Sequence, residues 1–325
     1  MQLLKTLLRR IFNAAILILA VVVLNFLLIQ LAPGDVVDVI AGEMGGITLE
    51  DRAQIAATYG LDKPILTQLG VYLGKVVTGD LGYSFYFNTP VTKLIFARLW
   101  PTLLLVMTAL IFAIVGGTLL GVLASRNPEG IFSSIVTILA LVGYSMPVFW
   151  SGLMLVILFA SIFPIFPVSD MRDILYRGGP VGAAVDVAHH LVLPALSLAI
   201  IYLAQYSRIS RASMLEVLGS DYIRTARSKG LTESVVIGKH ALRNAILPVV
   251  TIAGLQFGGM LSGAVLVESV FNWPGLGTLA FDSILRRDFP TVLGILLMSS
   301  VIVIIANLLT DLLYQVIDPR IELKS

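Results

Sequence analysis

Apolar residues fall into six long runs separated by polar stretches of very unequal length. About 20 apolar residues carry a helix across the hydrocarbon core of a bilayer. The runs therefore predict six spans, at 11–31, 102–124, 131–163, 191–207, 245–267 and 291–310. The first follows Lys5, Arg9 and Arg10, is longer than a signal-peptide core and has no small-residue cleavage site behind it, so it reads as an uncleaved anchor. The third exceeds one span and contains Pro147, which predicts a kink or an interfacial extension. The fourth is short, with Pro194 in its first turn, where proline is tolerated. The fifth ends at Glu268 and the sixth at Asp311.

Two polar stretches are too long to be simple turns. In 32–99, Thr48–Tyr59 and Leu66–Val77 repeat apolar residues at helical spacing, which predicts two short amphipathic helices at a membrane surface. They either pack on the spans as a lid or contact an external partner. In 208–245, Ser220 or Asp221 can cap a helix over Tyr222–Lys229. Gly230 fits the left-handed position that ends helices, and Thr232 can cap a second helix over roughly Glu233–Asn244. That stretch predicts two short helices with a sharp joint.

Composition sharpens the class. The chain of 325 residues is 57% hydrophobic and 13% charged, with a mean hydropathy of +0.94. Soluble domains carry about a quarter charged residues, so the fold class is an all-α integral membrane protein. A net charge of +2 is too small to indicate nucleic-acid binding. With no cysteine, disulfides, thiolate metal sites and cysteine nucleophiles are excluded, and three scattered histidines make no metal centre.

Basic residues orient the spans. The N-terminus has three and no acid, and 208–245 has seven against three acids. By contrast, 32–99 has seven acids and five basic residues. Both termini and 208–245 are therefore expected in the cytoplasm, with 32–99 outside. The 208–245 element can rest on anionic lipid or dock into a protein groove. Its glycine joint and its small residues Ala226, Ser228, Ser234 and Gly238 favour docking.

At this point the residues carry a resemblance. Asp221-Tyr222-Ile223-Arg224-Thr225-Ala226-Arg227-Ser228-Lys229-Gly230 and His240-Ala241-Leu242-Arg243-Asn244-Ala245-Ile246-Leu247-Pro248 resemble the EAA loop of ABC-transporter permeases in its peptide-permease form. Arg224-Thr225-Ala226 stands where the general pattern has Glu-Ala-Ala, and Leu-Pro lies five residues farther from the glycine, so the glutamate's role does not carry over to Arg224. Leu31-Ala32-Pro33-Gly34-Asp35, Tyr59-Gly60-Leu61-Asp62-Lys63-Pro64, Gly79-Asp80-Leu81-Gly82, Phe271-Asn272-Trp273-Pro274-Gly275-Leu276-Gly277, Asp288-Phe289-Pro290 and Asp318-Pro319-Arg320 extend the resemblance over nearly the whole chain. All are similar to the first permease subunit of dipeptide/oligopeptide importers, a family that also includes nickel, glutathione and oligosaccharide importers.

The resemblance implies a multi-pass permease of a prokaryotic inner membrane, with a second homologous permease, two cytoplasmic ATPases that hold ATP and Mg, and an external solute-binding protein. No cofactor is expected on this chain. The implied ATPase-coupling residues are Asp221, Tyr222, Arg224, Thr225, Ala226, Arg227, Lys229, Gly230 and Arg243.

The chain lacks the phosphate loop GxxxxGK[ST], so it should not bind ATP itself, and it has no HExxH. Gly143-Tyr144-Ser145-Met146 is similar to a membrane serine protease motif, but a prolyl kink beside a small polar residue accounts for it more simply. Gly254, Gly258, Gly259 and Gly263 have small-xxx-small spacing, which predicts close helix packing or a path for bulky solutes. Ser145, Met146, Gln205, Gln256, Gly258 and Asn307 are the candidate translocation-path residues; the polar ones among them serve equally as interhelical hydrogen-bond partners. No catalytic or metal site is expected. A secondary transporter or channel is the competing class, disfavoured because no internal repeat and no charged relay appear in the spans.

Overall fold

The computed structural model describes residues 2–31, 63–84, 86–173, 175–176 and 178–317. The expected Thr48–Tyr59 helix and the Asp318–Arg320 motif lie outside them. Five helices are long and apolar enough to cross a membrane, and a bent helix pair makes a sixth if counted as one span. The chain divides into two compact units, Met1–Trp100 with Thr278–Ile305, and Pro101–Gly277 with Ala306–Ser325.

In the first unit, α1 (Gln2–Leu31) packs on α2 (Ile65–Val77), the second predicted surface helix. The rings of Phe26 and Tyr72 lie 6.1 Å apart, and Gln30 donates to Gln68 at 2.6 Å. A two-stranded hairpin, β1 (Tyr83–Ser84) against β2 (Thr89–Pro90), leads into α3 (Val91–Arg126). Later in the chain come the 24-residue α9 (Leu247–Val270), which belongs to the second unit, and the 11-residue α10 (Leu276–Arg286) and α11 (Phe289–Ile317), each divided between the two. Buried Asp288 caps α11: its carboxylate accepts from the Ser84 and Thr291 hydroxyls, both at 2.6 Å, and from the Thr291 N–H.

In the second unit, α4 (Ile131–Ser145) and α5 (Val148–Ile162) are the two arms of the third apolar run, and they meet at 109°. Met146 is extended and Pro147 caps the second arm, because the residue before a proline is pushed out of the helical region. The expected kink is thus a full elbow. The α6 helix (Pro180–Leu218) is far longer than the predicted 191–207 span. It starts behind Gly179 with Pro180 in its first turn, so Pro194 falls in the helix interior rather than in a first turn.

Helices α3 and α6 approach each other closely. A Cβ on Gly117 would lie 2.7 Å from the Leu203 carbonyl oxygen, and one on Gly121 would lie 2.6 Å from that of Ser207. Backbones approach this closely only where side chains are absent. The fifth-run glycines are less uniform: a Cβ on Gly254 would overlap Thr310, while one on Gly259 would lie 3.5 Å from the Tyr202 hydroxyl.

Candidate functional site

The hydrophilic element after α6 folds as α7 (Asp221–Ser228) and a second helical segment, α8, over residues 233–245. The joint follows from Gly230. Its φ is +75°, its N–H donates to the Arg227 carbonyl at 2.9 Å, and the Leu231 N–H donates to that of Ala226 at 3.4 Å. This bond pair is the Schellman ending of a helix, whose positive-φ position favours glycine. Ser220 and Thr232 stand at the two N-caps, but neither makes the expected side-chain cap; the Ser220 hydroxyl turns back to the Val217 carbonyl at 2.6 Å. Within α8, Val236–Ala241 widens into a π-helical turn, a geometry frequent at functional sites.

The element has two chemically distinct faces. Ile223, Ala226, Val236, Ile237, Ala241 and Ala245 are buried against Val122 of α3 and Met214 of α6. α7 and α8 therefore rest on the ends of two helices that approach each other closely. Asp221, Tyr222, Arg224, Thr225, Arg227, Lys229, Gly230 and Arg243 are exposed, whereas Ala226 faces the chain's own core. The Asn244 amide donates to the Tyr222 hydroxyl at 2.7 Å and ties α8 to α7. Arg227 grips Glu233 with two bonds, Nη2–Oε1 at 2.7 Å and Nε–Oε2 at 3.2 Å, across the Gly230 joint. The hydrogen bond from Arg227 holds the Glu233 carboxyl below its ordinary range, and the same bond raises the Arg227 pKa. A cavity of about 400 Å³ lies at the root of the element, lined by Arg126, Leu215, Gly219, Arg227, Glu233 and Ile237 among others.

Among the six path candidates the structure pairs Ser145 with Met146 and Gln205 with Gln256. Ser145 and Met146 line an apolar cavity in the α4–α5 elbow, and the Ser145 hydroxyl is bonded to the Leu141 carbonyl at 2.9 Å. Gln256 of α9 donates to Gln205 of α6 at 2.8 Å. Gly258 is half-buried in α9, and Asn307 is exposed on α11. His189 meets the Ile165 carbonyl and His190 meets Asp186, so their partners are not the Ser145 hydroxyl.

Sequence reasoning missed one knot. Glu268 marked the end of a span, yet it is fully buried. Its carboxylate accepts from the Thr102 hydroxyl at 2.6 Å and from the Gly277 N–H at 2.7 Å, while Thr102 accepts from the Leu276 N–H at 2.7 Å. A Cβ on Gly275 would overlap that carboxylate. Buried Trp273 donates its indole N–H to the Pro101 carbonyl at 2.9 Å. The alternating glycines of Phe271–Gly277 were the only sequence signal of this close approach.

Comparison with known proteins completes the description. The family described as binding-protein-dependent transport system inner membrane component matches residues 117–323, and its N-terminal region matches residues 3–106. The chain is 43% identical to the dipeptide transport system permease protein DppB of Escherichia coli (strain K12), over 99% of this chain and 100% of that protein. It is 39% identical to the oligopeptide transport system permease protein AppB of Bacillus subtilis (strain 168), over 97% and 98%. With the di/tripeptide transport system permease protein DppB of Pseudomonas aeruginosa it shares 42%, over 93% and 94%. Among solved structures, the MetNI methionine ABC transporter in an inward-facing conformation aligns with 69% of this chain and 96% of that one. Its TM-score is 0.52 at 18% identity, a likeness of fold.

Proposed function

Because the chain belongs to the binding-protein-dependent transport system inner membrane components, we propose that it is the permease subunit through which an ATP-driven importer passes di- or oligopeptides. The observation that carries the peptide reading is the end-to-end likeness to peptide permeases at 39–43% identity. The importer's remaining parts are a second permease, two ATPases and an external binding protein. This chain contributes transport rather than chemistry.

The exposed face of α7 and the Gly230 joint take the thrust of the ATPases. That face carries Tyr222, Arg224, Thr225 and Lys229. The buried face packs against the ends of α3 and α6, so a push on α7 reaches two spans where they approach closely. Basic-residue asymmetry supports placing both termini and 208–245 in the cytoplasm and 32–99 outside. Ser145, Met146, Gln205, Gln256, Gly258 and Asn307 are proposed to face the solute path.

The test is reconstitution of this chain with its second permease, ATPases and binding protein in liposomes. ATP-dependent uptake of a labelled dipeptide, undiminished by nickel, glutathione or an oligosaccharide in excess, is the expected result. Uptake of one of those competitors with no dipeptide uptake would refute the peptide reading.

A further inference from the structure

Pro101 lies in the interior of α3. It has no N–H for the Ala97 carbonyl four residues earlier, and its ring crowds that carbonyl, so the helix is weakest between the two. The chain enters the second compact unit at this place, between Trp100 and Pro101. It leaves that unit between Gly277 and Thr278, at the start of α10, and re-enters it inside α11, between Ile305 and Ala306. A proline weak point and a boundary of compact units thus coincide in α3.

The Glu268 knot ties the first two of these passages to each other from within the second unit. The Trp273 indole holds the Pro101 carbonyl at 2.9 Å. Thr102, the next residue, gives its hydroxyl to Glu268 Oε1 at 2.6 Å and takes the Leu276 N–H at 2.7 Å. Glu268 Oε2 takes the Gly277 N–H at 2.7 Å. A Cβ on Gly277 would lie 2.6 Å from the Val265 Cα, so the first turn of α10 is also set close against α9. These bonds hold α3 from Pro101 onward and hold nothing before it. A buried carboxylate is an expensive way to gain stability, because a well-packed apolar group often does as well. What it supplies is geometry: two oxygens, each with a donor at a set position.

We propose that the outer segment of α3 pivots at Pro101 during each transport cycle, and that Glu268 is the positioning residue that holds the pivot. With the knot closed, both passages turn about one fixed point. Motion delivered at the inner end of α3 then emerges at its outer end as a defined swing, as hinges at element ends produce. With the knot open, the same motion is spent in diffuse bending. This rests on the ATP-driven importer reading above and not on the identity of the solute.

The test uses the whole importer in nanodiscs, its partners freed of reactive cysteine. Spin labels are placed through Lys93→Cys, at an exposed position on the outer segment of α3, and Val185→Cys, at an exposed position on α6. Pulsed electron spin resonance reads their separation at rest and after trapping with vanadate. With the native knot, two separate distances are expected. Glu268→Gln and Thr102→Val should broaden both until they overlap. They should also cut the solute imported per ATP hydrolysed by about tenfold, the scale of one lost charged hydrogen bond. Thr102→Ser keeps the hydroxyl and should retain two distances and coupled uptake. Pro101→Ala restores an N–H to the Ala97 carbonyl with the knot intact, and should shrink the difference between the two states. The Thr102 and Pro101 variants decide the matter if Glu268→Gln is not recovered from membranes. One unchanging distance with the native knot overturns the pivot. Two sharp distances and full coupling in Glu268→Gln and Thr102→Val, with only a lower melting temperature, overturn the role of Glu268, because the knot then serves folding alone. Absence of ATP-dependent uptake by the wild-type assembly refutes the importer reading itself, whereas uptake without a change in distance refutes the pivot alone.

Discussion

Gly230 and Gly121 show how differently two glycines are used. A Cβ on Gly230 would meet nothing within 4 Å, so the strain of φ +75° is the whole cost of adding one, about 1 kcal/mol. Gly230→Glu should leave membrane levels normal, weaken ATPase association and abolish uptake, because the acid also sits at the C-terminus of α7, where the dipole disfavours it. Wild-type uptake by this variant would show that the joint is not the coupling point. A Cβ on Gly121 would strike the backbone of α6, and overpacking of that kind costs about 1–3 kcal/mol. Gly121→Leu should therefore reduce the amount of folded protein recovered from membranes; unchanged recovery and melting would contradict the close contact. Glu268 is a third case. Its two oxygens serve two donors, so in Glu268→Gln the amide NH₂ must face one of them. About 1–3 kcal/mol should be lost, read as a lower melting temperature in detergent with Glu268→Gln than with wild type.

At the scale of elements, the Arg227–Glu233 pair bridges α7 and α8 across Gly230. Both are well exposed, with side chains 43% and 56% accessible, so their bond orders the joint locally rather than stabilising the whole protein. The folded Glu233 carboxyl titrates below its unfolded value. Its contribution is therefore full above the unfolded pKa of about 4.3 and is lost as pH falls through the lower folded value. Amide exchange at Leu231–Val235 should be faster in Glu233→Gln than in wild type at pH 7, and the two should converge as the carboxylate is protonated. Identical exchange at pH 7 would show that the bond does not order the joint. The π-helical turn in α8 leaves Gly238 and Lys239 exposed.

For the whole molecule, the proposed topology makes opposite faces separately addressable, and the absence of native cysteine makes the experiment direct. A cysteine at Ser228 should react only from the cytoplasm and one at Thr78 only from outside; labelling of both from one side would end the topology. The apolar runs, the glycine break between α7 and α8, the α2 helix and the family were legible in the sequence, because each depends on local composition or on a short string of residues. The lengths of α3 and α6 were not. Their ends carry polar residues that lower the hydropathy while remaining helical, so the apolar window measured the span and not the helix. Pro147 announced a break, but only packing of both arms on α6 set its angle at 109°. The choice of Gly117 and Gly121 for a close helix contact, the inward turn of Ala226, and the burial of Glu268 each depend on residues tens to more than a hundred positions away. A sequence states which side chains can pack closely or tolerate burial; which partner removes them from lipid or water is decided when the helices meet.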